Sequence, residues 1–312
     1  MFKLVEKLDK PIIFKGAAGT EDIKYGFEGG TVIEINGKFH LFTSEMTDDP
    51  FWVKMKLSHW VSDGGKTFKR MSTLMESSGD FTGDDPRAAL WSPIPTFDEQ
   101  NGYWYMTYVA YRAAPNTEKQ HRINMDGKIW LSRSETPGIE GIGGPYEDLG
   151  IILQKDENAD LWEGLQGSDS FYPYRLGDIW YSFYGSCDTQ SLPIKWWGVG
   201  LAMAPTLQGP WTRCTKMNPV LINDIFTENP IVTKIDGLYY AFYDGGNKMG
   251  YSISEDGIHW SKGHEIMFER TWEKNVRTPL SCIALGEGLY SVFYTAYDEN
   301  GFGCVGNMTI KK

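Results

Sequence analysis

The sequence has few basic residues, few cysteines and no long hydrophobic run. Its 312 residues contain 30 Lys and Arg against 41 Asp and Glu, a formal net charge of −11. Phosphate binding needs clustered positive charge, so nucleic acid is not expected as a partner. No stretch approaches the roughly 20 apolar residues of a membrane-spanning helix. The chain is therefore not expected to interact with nucleic acid or membrane.

Recognisable cofactor and metal motifs are also missing. The four cysteines, at positions 187, 214, 282 and 304, lie far apart without a CxxC pair, which argues against a zinc site and favours free thiols. No P-loop, GxGxxG, HExxH or GxSxG occurs in a supporting context. We therefore expect no cofactor and no catalytic metal, although a central channel would leave room for a structural ion.

The N-terminal segment, MFKLVEKLDK, lacks the apolar core of a signal peptide. This predicts a cytoplasmic protein. A periplasmic or secreted location would require a signal that this sequence does not contain.

The chain is rich in aromatic residues (14%) and in glycine (35 residues), and these residues recur in a repeat. Each copy has a short apolar strand, a turn glycine and a strongly aromatic strand. The five copies open at Glu28, Trp91, Asp169, Glu228 and Arg277. Their turn glycines are Gly37, Gly102, Gly177, Gly237 and Gly288. This near-constant spacing is typical of β-hairpins with variable loops.

A second half-unit follows most copies, with a short strand, a Gly/Pro/Asp turn and an aromatic residue. One example is YSISEDGIHW, which ends on Trp260. Two hairpins make a four-stranded sheet, which is one blade of a β-propeller. The sequence therefore predicts an all-β, five-bladed propeller with four antiparallel strands per blade, forming a single domain over residues 1–312.

The opening residues of the five repeats are unusual for a structural role. In a propeller the innermost strand of each blade lines the central axis, so the residues that open these strands meet at one mouth of the channel. Three of the five are carboxylates, which repel one another and resist joint ionisation. Their convergence indicates a functional site.

Several carboxylates around one pocket are what glycoside hydrolysis requires. A protonated carboxyl donates its proton to the leaving oxygen, and an ionised one activates water or attacks the anomeric carbon. A third raises the pKa of its neighbour through like charge. Trp91 would supply a flat face against which a sugar ring stacks.

The repeat and its motifs resemble glycoside hydrolase family 43 and its relatives with five-bladed propellers. The resemblance runs from Glu28 to Tyr294 and includes Asp169 before Ser170-Phe171, Glu228-Asn229-Pro230 and Trp91-Ser92-Pro93. It implies that Glu28 is the general base, Asp169 the pKa modulator and Glu228 the general acid. The sequence departs from that family where Glu28 replaces Asp, Ile94 replaces Asp, and Arg277 stands where many relatives have His.

Loops that open on the same side as the repeat starts add further candidates for substrate binding. With Trp91 and Arg277, these are Trp52, Tyr111, Trp196 and Asp244. Trp196 is adjacent to Trp197, and two exposed neighbouring rings are costly without a ligand. Two roles are open for Arg277, namely recognition of an anionic group on the sugar or pairing with Asp169 or Glu28.

These residues predict an oligosaccharide substrate and a glycosidase that removes a terminal sugar from a plant or algal oligosaccharide. A gap of roughly 6.5–9.5 Å between carboxyls that open the first and fourth blades would give inversion. The alternatives are a propeller phosphorylase or transglycosidase, and a glycan-binding propeller without catalysis. The sequence leaves open the sugar, its linkage and the oligomeric state.

Overall fold

The computed structural model describes residues 1–119, 121–187 and 196–312. In these ranges the chain is all-β, with 20 strands, one short 3-10 helix at Ile139–Gly143 and no α-helix. No helix in the described part of the chain has the length and apolar character needed to cross a membrane.

Three four-stranded antiparallel sheets follow one another along the middle of the chain. The first contains β6 (Ala89–Asp98), β7 (Tyr103–Ala113), β8 (Asn124–Ser134) and β9 (Tyr146–Gln154). The second contains β10 (Asp169–Leu176), β11 (Ile179–Cys187), β12 (Trp197–Ala204) and β13 (Thr212–Arg213). The third contains β14 (Glu228–Ile235), β15 (Leu238–Asp244), β16 (Met249–Ser254) and β17 (His264–Glu265). Each is a meander in which sequential strands pair.

The two ends of the chain form one eight-stranded sheet. One set is β2 (Gly26–Ile35), β3 (Lys38–Asp48), β4 (Lys54–Asp63) and β5 (Lys69–Glu76). The other is β18 (Asn275–Gly286), β19 (Leu289–Tyr297) and β20 (Gly303–Lys311), with the N-terminal β1 (Lys3–Lys7) paired to β20. The sets meet at a single parallel pair, Gly26 and Gly303, where a Cβ on Gly26 would lie 2.1 Å from the Gly303 carbonyl oxygen.

The hairpin turns have the predicted glycines. In the turns at 36–37, 236–237 and 287–288 both central residues have positive φ, for example 53° at Asn36 and 80° at Gly37. This is the backbone of a type I′ turn, whose twist matches that of the flanking strands.

Aromatic side chains of the second strand in each set fill the core between sheets. One large aromatic residue of the second strand in each set is at most 2% exposed, namely Phe42, Tyr108, Phe183, Phe242 and Phe293. The opening strands also contact one another in a cycle, because β2 contacts β6, β6 contacts β10, β10 contacts β14, β14 contacts β18, and β18 contacts β2. The starts of these strands are thereby brought together.

Candidate active site

A β-bulge interrupts each opening strand at the residue that starts the repeat. The register shifts lie between Glu28 and Gly30, Trp91 and Ile94, Asp169 and Phe171, Glu228 and Ile231, and Val276 and Pro279. In four strands the following residue has positive φ, at Gly29, Ser92, Ser170 and Asn229. A bulge turns a side chain out of the regular alternation, and strained φ at non-glycine residues clusters at functional sites. The bulges thus aim the lead side chains towards the centre.

The lead side chains line a cavity of about 280 Å³. Seven of the predicted site residues are in its wall: Glu28, Trp52, Trp91, Tyr111, Asp169, Glu228 and Arg277. The two that are not are Trp196 and Asp244. Residues of all five opening strands therefore meet in one place, as the repeat predicted.

Arg277 is the centre of the charge network. Its Nη2 lies 2.6 Å from Glu28 Oε1 and 3.0 Å from Glu228 Oε2, and its Nη1 lies 3.1 Å from Asp244 Oδ2. The sequence left two roles open for Arg277, recognition of an anionic sugar group or pairing with a neighbouring carboxylate. In the structure Arg277 pairs with Glu28, and also with Glu228 and Asp244. Asp244 is completely buried and, unlike Glu28 and Glu228, does not line the cavity.

Glu28 is held at both carboxylate oxygens. Oε1 accepts a hydrogen bond of 2.8 Å from Arg277 Nε, and Oε2 accepts one from the Tyr297 hydroxyl. The same hydroxyl accepts a hydrogen bond of 3.2 Å from Trp52 Nε1. Burial and the nearby Glu28 raise the pKa of Tyr297, so its hydroxyl remains a donor. Glu28 is thereby fixed in one orientation.

Sequence reasoning missed Tyr297. It ends β19 opposite Asn275, and Tyr111, near the end of β7, lies opposite Ala89. The rule that identified Tyr111, that loops after the second strands open on the same side as the repeat starts, applies equally to Tyr297. The spacing of the last repeat would therefore have identified Tyr297.

Glu228 and Asp169 are buried carboxyls whose pKa values rise. Burial raises the pKa of Glu228 well above its usual range, Arg277 lowers it, and the negative charge of Asp169 raises it further. Burial also raises the pKa of Asp169, against hydrogen bonds from Tyr111, the Ser170 amide and Glu228. A buried carboxyl beside another carboxylate holds its proton more tightly. Glu228 is therefore suited to donate one.

The tryptophan pair is placed differently from the prediction. Trp197, which begins β12, lines the cavity. Trp196 packs edge-on against Trp162, with ring centroids 5.4 Å apart. Side chains alternate along an extended chain, so only one of two adjacent rings can face the cavity. The sequence could not tell which.

Neutral polar residues complete the wall and were also missed. Five of the neutral lining residues carry a buried polar atom without a hydrogen-bond partner in the described protein: Trp91 Nε1, Asn124 Oδ1, Gln166 Oε1, Trp197 Nε1 and Asn275 Oδ1. Such atoms are rare and mark places where water or ligand binds. Within residues 1–119, 121–187 and 196–312, no group of three or more His, Cys, Asp or Glu could hold a metal ion.

Comparison with known proteins gives structural neighbours only. No family model and no curated protein matches the sequence. BT0996, solved as an RGII complex, aligns with a TM-score of 0.69 and 15% identity over 96% of this chain and 92% of that protein's chain. Zg3597, a family 117 glycoside hydrolase of the marine bacterium Zobellia galactanivorans, gives 0.68 and 12% over 100% and 90%.

A family 43 β-xylosidase/α-arabinofuranosidase from a compost microbial metagenome, solved with xylotriose, gives a TM-score of 0.63 and 13% identity over 99% of this chain and 95% of that protein's chain. At these identities the likeness shows a shared fold. The chain has the propeller fold of family 43 and family 117 glycoside hydrolases. The structural resemblance predicted from the repeat is thereby confirmed.

Proposed function

We propose that the protein is a glycoside hydrolase that cleaves an oligosaccharide in the cavity around Arg277. The observation that carries this proposal is the presence of two carboxyls with different surroundings in one cavity. Glu228 is buried, with a raised pKa, whereas Glu28 accepts hydrogen bonds from Arg277 and Tyr297. Glycosidic cleavage needs one carboxyl as proton donor and another as base or nucleophile.

The acid step belongs to Glu228. Its carboxyl donates a proton to the glycosidic oxygen, so the leaving group departs as an alcohol. Asp169 keeps the proton on Glu228 until that step, because its negative charge raises the pKa of Glu228. Asp169 is thus a positioning and pKa-setting residue.

The walls suit a sugar. Trp52, Trp91 and Trp197 line the cavity, and their rings offer flat faces with a polar N–H edge. The unpartnered amide oxygens of Asn124, Gln166 and Asn275 are acceptors for sugar hydroxyls. A volume of about 280 Å³ lies just below the roughly 300–1,000 Å³ usual for ligand pockets. This favours one terminal sugar of a plant or algal oligosaccharide over a longer segment.

The five four-stranded sets are the blades of one closed five-bladed propeller, a single domain over residues 1–312. The cyclic contacts among β2, β6, β10, β14 and β18 support closure. The Gly26–Gly303 bridge that joins the terminal sets is one residue pair long, which supports counting them as two blades. β1 then supplies the outer strand of the last blade.

Inversion, which the sequence predicted, requires a water between the base and the sugar. An inverting pair of carboxyl groups is typically roughly 6.5–9.5 Å apart to hold that water. In this structure Arg277 Nη2 lies between the two carboxyls, 2.6 Å from Glu28 Oε1 and 3.0 Å from Glu228 Oε2. The proposed function therefore comprises hydrolysis with Glu228 as the acid, whatever the stereochemistry.

A screen of aryl glycosides and natural oligosaccharides, run without and with added phosphate, tests the proposal. The wild-type protein is expected to release a sugar, and Glu228→Gln to release it far more slowly from the oligosaccharide. Glu255→Gln, a matched change at an exposed glutamate, should retain the wild-type rate. Sugar binding without any turnover would favour the glycan-binding alternative, and turnover only with phosphate would favour a phosphorylase.

A further inference from the structure

We propose that Trp52 is a positioning residue that sets, through the Tyr297 hydroxyl, the orientation of the Glu28 carboxylate. The sequence predicted only substrate binding for Trp52. The inference rests on the proposed glycosidase function, because it concerns the carboxylate that works together with the acid, Glu228. Trp52 thereby affects the chemical step through its neighbours and not through contact with the reacting atoms.

The indole N–H of Trp52 is used differently from those of the other cavity tryptophans. Trp52, Trp91 and Trp197 all line the cavity. Among the described residues, Nε1 of Trp91 and Nε1 of Trp197 are buried and find no hydrogen-bond partner. Trp52 Nε1 instead donates to the Tyr297 hydroxyl at 3.2 Å. Two of the three N–H groups are therefore open to a sugar, whereas the third serves the protein.

The Tyr297 hydroxyl has a single proton and can also accept hydrogen bonds. It accepts one from Trp52 Nε1 and donates its proton to Glu28 Oε2. The other acceptor within reach, Met46 Sδ at 3.7 Å, is a thioether and accepts only weakly. Because the Trp52 N–H occupies one side of the oxygen, the hydroxyl proton is held towards Glu28. Without that N–H the hydroxyl would be free to turn.

Trp52 itself is held in one orientation. Its φ of 65° lies in the left-handed region, which bulky residues rarely adopt and which clusters at functional sites. Phe51 stacks on the indole, with ring centroids 4.8 Å apart and 27° between the planes. Asn124 Nδ2, from β8 in the neighbouring sheet, donates to the Trp52 carbonyl at 3.1 Å. A ring that served only as a stacking face would not need its N–H directed in this way.

Asn124 connects this arrangement to the bound sugar. Its Nδ2 donates to the Trp52 carbonyl, so Oδ1 is the atom left for a ligand. Asn124 Oδ1 is buried without a partner among the described residues, and Asn124 lines the cavity. A sugar hydroxyl that donates to Oδ1 would contact the residue that holds the Trp52 backbone. Sugar binding and the orientation of Glu28 are thereby linked.

A double-mutant cycle between Trp52 and Tyr297 tests the inference, with an aryl glycoside that the wild-type enzyme cleaves. Trp52→Phe keeps an aromatic ring and removes the N–H. We expect it to lower kcat about 2- to 10-fold, the effect of one neutral hydrogen bond, with KM nearly unchanged. In the Tyr297→Phe background the same change should lower kcat no further, because the group through which Trp52 acts is already gone.

Two outcomes in an active protein would overturn the inference and leave the proposed function intact. One is an equal loss of kcat for Trp52→Phe in the wild-type and Tyr297→Phe backgrounds. The other is a higher KM with kcat unchanged, which would mean that Trp52 only contacts the sugar. A wild-type protein that cleaves no glycoside would overturn the proposed function and this inference together.

Trp197→Phe is the matched control, because it makes the same change at a cavity tryptophan whose N–H has no partner among the described residues. Its effect should be the same in the wild-type and Tyr297→Phe backgrounds, since independent sites are additive. If Trp197→Phe also lost its effect in the Tyr297→Phe background, the coupling would not be specific to Trp52 and the inference would be wrong.

Asn124→Ala gives a second test that leaves the indole in place. It removes the hydrogen bond to the Trp52 carbonyl and the Oδ1 contact with the sugar, so it should lower kcat and raise KM. In the Tyr297→Phe background the decrease in kcat should disappear and the increase in KM should persist. A decrease in kcat of the same size in both backgrounds would contradict the link from Asn124 through Trp52 to Glu28.

Discussion

Two arginines in this protein each hold a glutamate that also contacts a tyrosine, yet the two clusters differ in kind. Arg277 pairs with Glu28, which contacts Tyr297, in the cavity wall. Arg213 pairs with Glu163 at 2.6 Å, and the Tyr184 hydroxyl donates to the same carboxylate at 3.1 Å. The residue types are the same in both.

The difference is the ratio of carboxylates to hydrogen-bond donors. Around Arg213, burial raises the pKa of Asp160, but hydrogen bonds from Thr215, Asn218 and neighbouring groups bring it below its ordinary value. Around Arg277, burial raises the pKa of Glu228 and Asp169, and that of Asp244 to about 6. A surplus of carboxylates beside a cavity suits acid–base chemistry. The cluster around Arg213, in which hydrogen-bond donors match the carboxylates, instead stabilises the loop before β10.

The largest expected effect comes from substitution of one glutamate in each cluster, Glu228 beside Arg277 and Glu163 beside Arg213. Glu228→Gln should lower kcat on unactivated oligosaccharides about 10²–10⁴-fold, because a general acid contributes that much, with a much smaller loss on activated aryl glycosides. Glu163→Gln should leave kcat near the wild-type value but cost about 3–5 kcal/mol of unfolding free energy, because a buried pair is broken. Steady-state kinetics and urea unfolding of both variants check this. Equal effects in the two assays would contradict the comparison.

Substitution of the arginine in each cluster should have the second largest effect. Arg277→Met should lower kcat/KM about 100-fold on neutral and anionic substrates alike, since its carboxylate partners lose their counter-charge and Glu28 loses its orientation. Arg213→Met should instead lower stability. Paired kinetics on a neutral glycoside and its uronic counterpart decide the matter. A loss confined to the uronic substrate would restore anion recognition as the role of Arg277.

The two tyrosine substitutions, at Tyr297 and Tyr184, should differ less in their effect on kcat/KM. Tyr297→Phe should lower kcat/KM about 10- to 100-fold, because a hydrogen bond to a charged group contributes about 1.5–3 kcal/mol. Tyr184→Phe should leave kcat/KM unchanged. Activity measured beside thermal unfolding of both variants would detect the difference. No loss in Tyr297→Phe would mean that Arg277 alone orients Glu28.

The smallest expected effect concerns stability and pH. Burial raises the pKa of Asp244 to about 6 from an unperturbed 3.8, so the folded state binds its proton more tightly. Between those two values stability falls as pH rises. Asp244→Asn should therefore be close to wild type at pH 4 and more stable by on the order of 1–3 kcal/mol at pH 8.

Urea unfolding of Asp244→Asn and wild type at pH 4, 6 and 8 measures this difference. Asp236→Asn, which removes an exposed partner of Lys312, should show little change at any of these pH values. A stability gain of Asp244→Asn that does not depend on pH would argue against a raised pKa.

The sequence by itself determined the β-hairpins, the repeat and the convergence of Glu28, Trp91, Asp169, Glu228 and Arg277. These follow from local causes, because turn glycines and aromatic strands act over a few residues and repetition places equivalent positions side by side. The same logic extended to Tyr297 would have identified it. The number of blades and the closure of the ring stay predictions, supported by the cyclic strand contacts.

Only the tertiary structure decided how the lead residues pair. The bulges that turn them inward, the choice of Trp197 over Trp196, and the burial of Asp244 behind Arg277 depend on how sheets pack against each other. So does the bridge that Arg277 forms between Glu28 and Glu228, which lie on different strands far apart in sequence. Residue types and spacings indicate which charges meet, but the distances between them arise from packing.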